Sequence, residues 1–273
     1  MIKKSVINIV TVFIIFGILQ ISDYVGNLAS AYFSNLAVTY IVYTFVHIGV
    51  ALLMGIVYAK LVLKMSLKDI GMWTRFPERI WWGIGIVLPC VVSGFYLCFV
   101  EGRLIKTCTI NITVIVFTIC VGISAGVVEE FLFRGILFRY MKETWGVVMA
   151  VIVPSVLFAL LHVRNLKNPD ITTITLLMLS GTLVAILFSL ISWISESIWP
   201  GVVIHSLWNS AIIGQVFAIS GSGNWNQAVY RYKLASKNDF LTGGTFGIEA
   251  AVPAIITYLG AILVIIYLRK RKR

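Results

Sequence analysis

Charge is scarce in this chain. Only 12% of its 273 residues are Asp, Glu, Lys or Arg, with eleven acidic residues and three histidines. With 59% hydrophobic residues and a mean hydropathy of +0.96, there is more apolar side chain than one water-soluble core can hide. Cysteine is also sparse. Cys90, Cys98, Cys108 and Cys120 show no C-x-x-C spacing, which excludes a zinc ribbon or redox pair and leaves them as small packing residues. No period of 20–50 residues repeats and no Ser/Pro-rich linker divides the chain, which argues against a solenoid and for one bundle.

What the chain has in quantity is long apolar runs. Crossing about 30 Å of hydrocarbon as a helix takes roughly 20 apolar residues. Runs near 5–21, 36–59, 81–100, 111–133, 146–163, 171–193, 199–219 and 248–268 meet or approach that length. The expected fold class is all-α, a polytopic membrane bundle of about eight transmembrane helices forming a single integral membrane domain over 1–273, with the motif-bearing core near 110–220. The net charge of +11 does not call for nucleic acid, because the basic residues cluster between runs. Placing both termini in the cytoplasm puts 15 Lys/Arg inside and 7 outside, as the positive-inside rule requires. The tail from Arg269 to Arg273 then reads as a stop-transfer anchor. The start resembles a secretory signal with a small-x-small site at Ala29-Ser30-Ala31, but that site is far from the apolar run, so an uncleaved first helix is expected. Residues 63–80 mix basic and large apolar side chains and suit either a stretch on the cytoplasmic leaflet or a plain loop. The loop 221–245, with Trp225, Tyr230 and Tyr232, suits the outer interface.

Against this background the intramembrane polar residues stand out. Only Glu129 and Glu130 lie deep in an apolar run, 114–133, and His47, His162 and His205 also fall inside apolar segments. Each ionisable group there costs about 2.5–3.5 kcal/mol even on the lenient insertion scale, so it needs a wet cavity or a partner. Glu130 and Arg134, four apart with Glu first, are placed to pair on one helical face. Glu129, rotated by about 100° at 3.6 residues per turn, points elsewhere. Gly122 and Gly126 form a small-x-x-x-small edge for close helix approach. Phe158 with His162, and His205 with Asn209, also share faces. Three polar faces on three helices imply a common cavity, although a structural charge cluster explains the acidic pair alone. His47 stands apart and reads as a structural histidine.

Taken together these residues resemble the CAAX protease and bacteriocin-processing family. Its pattern is E-E-x-x-x-R, then F-x-x-x-H, then H-x-x-x-N, on three helices of an eight-helix bundle. Here it stands as Glu129-Glu130-Phe131-Leu132-Phe133-Arg134, Phe158-Ala159-Leu160-Leu161-His162 and His205-Ser206-Leu207-Trp208-Asn209. Other intramembrane proteases lack their parts here: there is no H-E-x-x-H, no mid-helix aspartate, and Gly221-Ser222-Gly223 is not a nucleophile turn.

The resemblance implies an intramembrane endopeptidase of the glutamate type, acting on a peptide or protein substrate that is prenylated or otherwise membrane-bound. Glu129 and His162 would activate a water, Arg134 would hold Glu130 ionised, and His205 and Asn209 would donate to the oxyanion. No cofactor is expected. Zinc on Glu129, His162 and His205 is chemically compatible, but the resemblance speaks against it. Two other classes remain as alternatives, a non-catalytic immunity or regulatory protein of the same fold and a proton-coupled transporter. Depth poses a difficulty: Glu129 and His162 lie about 16 residues, roughly 24 Å, from the turn at Trp145-Gly146, whereas His205 starts only a few residues past Trp199-Pro200-Gly201. The three meet only if the segment Arg134 to Glu143 protrudes from the hydrocarbon or the topology differs.

Overall fold

The computed structural model describes all residues except Met1, Arg75, Asn165, Lys167, Asn168, 222–227, Lys272 and Arg273. Trp225 and part of the basic tail therefore lie outside the described residues. Long helices follow the apolar runs in chain order: α1 (Ile2–Ser30), α2 (Leu36–Tyr58), α3 (Arg79–Phe99), β1 (Gly102–Lys106), α4 (Ile112–Glu129), α5 (Phe138–Trp145), α6 (Val147–Val163), α7 (Ile171–Ser195), α8 (Trp199–Ile212), β2 (Phe217–Ser220), β3 (Tyr230–Leu234), α9 (Asp239–Thr242) and α10 (Val252–Arg271). Among the described residues, five segments are long and apolar enough to cross a membrane: Lys4–Ser30, Leu36–Leu63, Arg79–Phe99, Ile112–Trp145 and Ile171–Ser195. Shorter apolar helices cover Val147–Val163 and Val252–Tyr267. The protein is an all-α membrane bundle, and each expected run has its helix.

Chemistry at the helix ends explains where they start. Asn35 accepts from the backbone N–H groups of Ala37 and Val38, Asn111 from Val114, and Asp170 from Thr173. Each is a side-chain cap on otherwise orphaned donors. Two boundaries differ from expectation. The run 111–133 continues as helix to Trp145, its stretch Glu130–Leu137 wound with the wider turn of a π-helix. The run 199–219 ends at Ile212 and returns as strand. Gly214 allows that turn, because an added Cβ would lie 2.7 Å from Thr118 of α4; the next N–H, of Gln215, donates to the Thr118 hydroxyl at 3.1 Å.

The sequence gives no strong sign of the small sheet. β1 pairs antiparallel with β3, and β2 pairs parallel with β3, in the order β1-β3-β2. Leu234 and Ile219 of this sheet pack into the core shared by α3, α7, α8 and α10. Residues 63–80 are pinned to the start of α8: Ile198 N–H donates to the Gly71 carbonyl at 3.1 Å, and the Trp199 indole to that of Met72 at 2.9 Å. The same loop leaves Trp73 and Phe76 exposed, with Phe76 stacked on Trp82, so it is both anchored and apolar on its outer side.

The depth difficulty resolves at Gly135. A Cβ there would touch the Ile70 carbonyl at 3.2 Å and Ile198 at 3.5 Å. The N-terminus of α8 thus lies beside the long α4–α5 rod at about two thirds of its length, about ten residues or 15 Å short of its end. The rod extends past that level as α5, where Phe138 and Met141 are buried in the bundle. His205 therefore needs only a short helix to reach the depth of Glu129.

Candidate active site

Close helix contact builds the site. On α4, a Cβ at Gly122 would lie 2.5 Å from the Ser206 carbonyl of α8, and one at Gly126 would lie 3.0 Å from the Ser206 nitrogen and 3.1 Å from the Val202 carbonyl. The small-residue edge thus meets α8 with almost no side chain between the backbones. Across the same seam, a Cβ at Gly201 would lie 2.7 Å from Oε2 of Glu130. These positions bring the E-E-x-x-x-R and H-x-x-x-N segments together.

Glu130 and Arg134 form the expected pair. Arg134 Nη1 donates to Glu130 Oε1 at 2.9 Å, and both side chains are 1% exposed. Arg134 Nη2 also reaches the Ala185 carbonyl of α7 at 3.3 Å. Its guanidinium lies 4.8 Å from the Phe158 ring centre, 5.3 Å from that of Phe188 and 5.8 Å from that of Phe133, so aromatic faces supply the remaining stabilisation of a desolvated cation.

His205 joins the pair to Glu129. Its Nδ1 lies 3.1 Å from Glu130 Oε1, a hydrogen bond in which the imidazole donates, while its Nε2 is 3.8 Å from Glu129 Oε2. The ring stacks on Phe188 at 5.0 Å and 14°. Glu129 Oε2 is buried and accepts from no described residue. A buried carboxylate oxygen without a hydrogen bond is costly, and the His205 ring at 3.8 Å is within ion-pair range of it.

Phe158 explains the second motif. Its ring touches the Arg134 guanidinium on one side and lies 4.7 Å from the His162 ring centre on the other. Its carbonyl also accepts from His162 Nδ1 at 2.9 Å. A carbonyl only accepts, so Nδ1 carries the hydrogen and the neutral ring keeps its Nε2 lone pair.

Two cavities meet at these residues. A cleft of about 590 Å³ runs between α1, α2, α4 and α6 and is lined by Glu129, Phe158 and His162 together with Asp23, Tyr43, His47 and Ser124. A smaller cavity of about 90 Å³ is lined by Glu129, Phe158, His162, His205, Asn209 and residues of the final loop. Glu129, Phe158 and His162 form the wall between them. Five of the singled-out residues, Glu129, Phe158, His162, His205 and Asn209, thus converge on the small cavity, and Glu130 with Arg134 stands behind them. Among the described residues, no three His, Cys, Asp or Glu side chains are spaced to hold a metal ion.

Two residues were not singled out for the site. His47, expected to be purely structural, donates or accepts at 2.8 Å with Ser124 and lines the wide cleft; its place in an apolar helix was the visible signal. Glu249 lines the small cavity. It lies at the very start of the last apolar run, where an acidic residue looks like an ordinary helix boundary.

With the geometry in place, comparison with known proteins becomes informative. Residues 111–211 match the family model described as Rce1-like, type II CAAX prenyl endopeptidase. The match contains all three motifs and covers 101 of the 273 residues, so the motif-bearing segment is similar to that family. No curated protein matches the chain significantly. The five long apolar segments are those of an integral membrane protein.

Proposed function

We propose that the protein hydrolyses peptide bonds of a membrane-bound substrate with a water activated by Glu129 and His162, without a metal. The observation that carries this reading is the buried Oε2 of Glu129, which no described residue hydrogen-bonds, in the wall between the wide cleft and the small cavity. The wide cleft admits an extended segment, and the scissile carbonyl reaches the wall where Glu129 and His162 meet. Glu129 takes a proton from water, assisted by the free Nε2 of His162, and the oxygen attacks the carbonyl carbon. His205 and Asn209 donate to the oxyanion that forms. His205 has given its Nδ1 hydrogen to Glu130, so a donor at Nε2 requires the imidazolium. That cation balances the cluster, because Glu129 and Glu130 then face Arg134 and His205, two charges of each sign.

Arg134 and Glu130 act at one remove. Their buried pair fixes the turn that presents Glu129 and orients His205, so they are positioning residues. Both termini belong on the cytoplasmic side, as the charge bias requires.

The test uses purified protein in detergent and a farnesylated tetrapeptide of the CAAX type, beside the same peptide without the lipid. Mass spectrometry should find release of the C-terminal tripeptide, unaffected by chelators. Release abolished by chelation and restored by zinc would replace the scheme with a metal mechanism. Cleavage of both peptides at equal rates would remove the prenyl group from the substrate description.

A further inference from the structure

The three motifs provide a base and two oxyanion donors, yet peptide hydrolysis also needs a proton for the departing nitrogen. A candidate donor lies outside the motif-bearing segment. Glu249 sits in the short 3-10 turn Ile248–Ala250 ahead of α10, and it lines the 90 Å³ cavity with Glu129, His162, His205 and Asn209. No salt bridge joins it to either histidine, so it borders the reacting space without being consumed by the Glu130 cluster. Trp208, one residue before Asn209, lines the same cavity. Phe246 packs against His162 at 6.2 Å, and Tyr258 against Trp208 at 5.3 Å. These contacts tie the final loop to α6 and α10 to α8.

We propose that Glu249 is the general acid of the reaction, a second catalytic carboxyl that protonates the leaving amine. The inference rests on the hydrolytic reading above. Water gives one proton to Glu129 as its oxygen bonds to the carbonyl carbon. The C–N bond then breaks, its electron pair goes to nitrogen, and nitrogen takes the proton from the Glu249 carboxyl. The proton held by Glu129 returns to Glu249 through the cavity water. Overall, amide and water become acid and amine. Desolvation in the cavity raises the Glu249 carboxyl above its ordinary range, against the opposing pull of His162, Trp208 and His205, which favours the proton-bearing form that the role requires.

A leaving-group comparison tests the role. The probes are the farnesylated tetrapeptide and its counterpart with a thioester in place of the scissile amide, because a thiolate departs without prior protonation. Glu249→Gln should cut single-turnover amide cleavage about 10²- to 10³-fold, in the range of acid–base catalysis, while thioester cleavage stays within about threefold. Glu129→Gln should lose both. Glu249→Asp keeps a carboxyl but draws it back by one methylene, and the same split at smaller size is expected, which covers the case of a Glu249→Gln variant that folds poorly. Equal loss on both probes in the folded variants would make Glu249 structural, and undiminished amide cleavage would leave it without a role; either overturns the inference. Unmodified protein that cleaves neither probe would overturn the hydrolytic reading itself, and this inference with it.

Discussion

Arg134→Leu is the most informative stability perturbation. At an effective dielectric of about 20, Coulomb's law gives a pair at 2.9 Å roughly 6 kcal/mol of attraction before desolvation is charged against it. Removing only the cation leaves Glu130, itself 1% exposed, as an unpaired buried carboxylate, a loss of about 3–5 kcal/mol. The leucine also cannot donate to the Ala185 carbonyl, and it forfeits the cation–π contacts to Phe158 and Phe188. For a domain of this size, such a loss lowers the unfolding midpoint by roughly 10 °C. The assay is the monodisperse fraction on gel filtration after heating in one detergent. Removing both charges, in Glu130→Gln with Arg134→Met, should restore most of the stability, because no buried charge is then orphaned. Activity should stay low in the double variant, since His205 loses its carboxylate anchor. A single Arg134→Leu variant within about 1 kcal/mol of the unmodified protein would refute the buried-pair account.

Three further outcomes follow from the same geometry. Gly126→Val forces a side chain against Ser206 and Val202; about 1–3 kcal/mol of overpacking and a strong loss of cleavage are expected, read by heating and by product release, and full activity would separate the seam from the site. Asn209→Ala should lower turnover about 10²- to 10³-fold with substrate binding nearly unchanged, measured by equilibrium binding beside single-turnover cleavage; loss of binding in parallel would make Asn209 a substrate anchor. Tags at both termini should resist membrane-impermeant labels in intact cells and react after permeabilisation; labelling of either tag from outside would invert the topology.

How much of this was visible in the sequence depends on what each residue must do. Glu129, Glu130, Arg134, His162, His205 and Asn209 are legible because a polar group in hydrocarbon demands a partner. The structure supplies direct partners for Glu130, Arg134, His162 and His205. Gly122 and Gly126 are legible as a close-approach edge, and Ser206 and Ser210 of α8 are what they approach. The relative level of α8 was not legible. Spacing along a chain gives each residue's distance from its own turn, but only the packing of Ile198 on Gly135 sets the helices' offset. The sheet escaped notice because its strands are four and five residues long, and Tyr232 and Arg231 signal no alternation in a polar loop. Glu249 escaped because its place on the cavity is set by the final loop, which brings it beside residues far away in the sequence. His47 lacks a sequence neighbour to share its face; Ser124, its partner, is 77 residues away.

The central claim is that Glu129 is the base, and Glu129→Gln tests it most directly. The amide keeps the carboxyl's shape and one accepting oxygen but cannot take the proton from water. Purified Glu129→Gln should fold and bind the farnesylated tetrapeptide as the unmodified protein does, while its single-turnover cleavage falls to background. Cleavage within about tenfold of the unmodified rate, well above what loss of a general base leaves, would contradict the account.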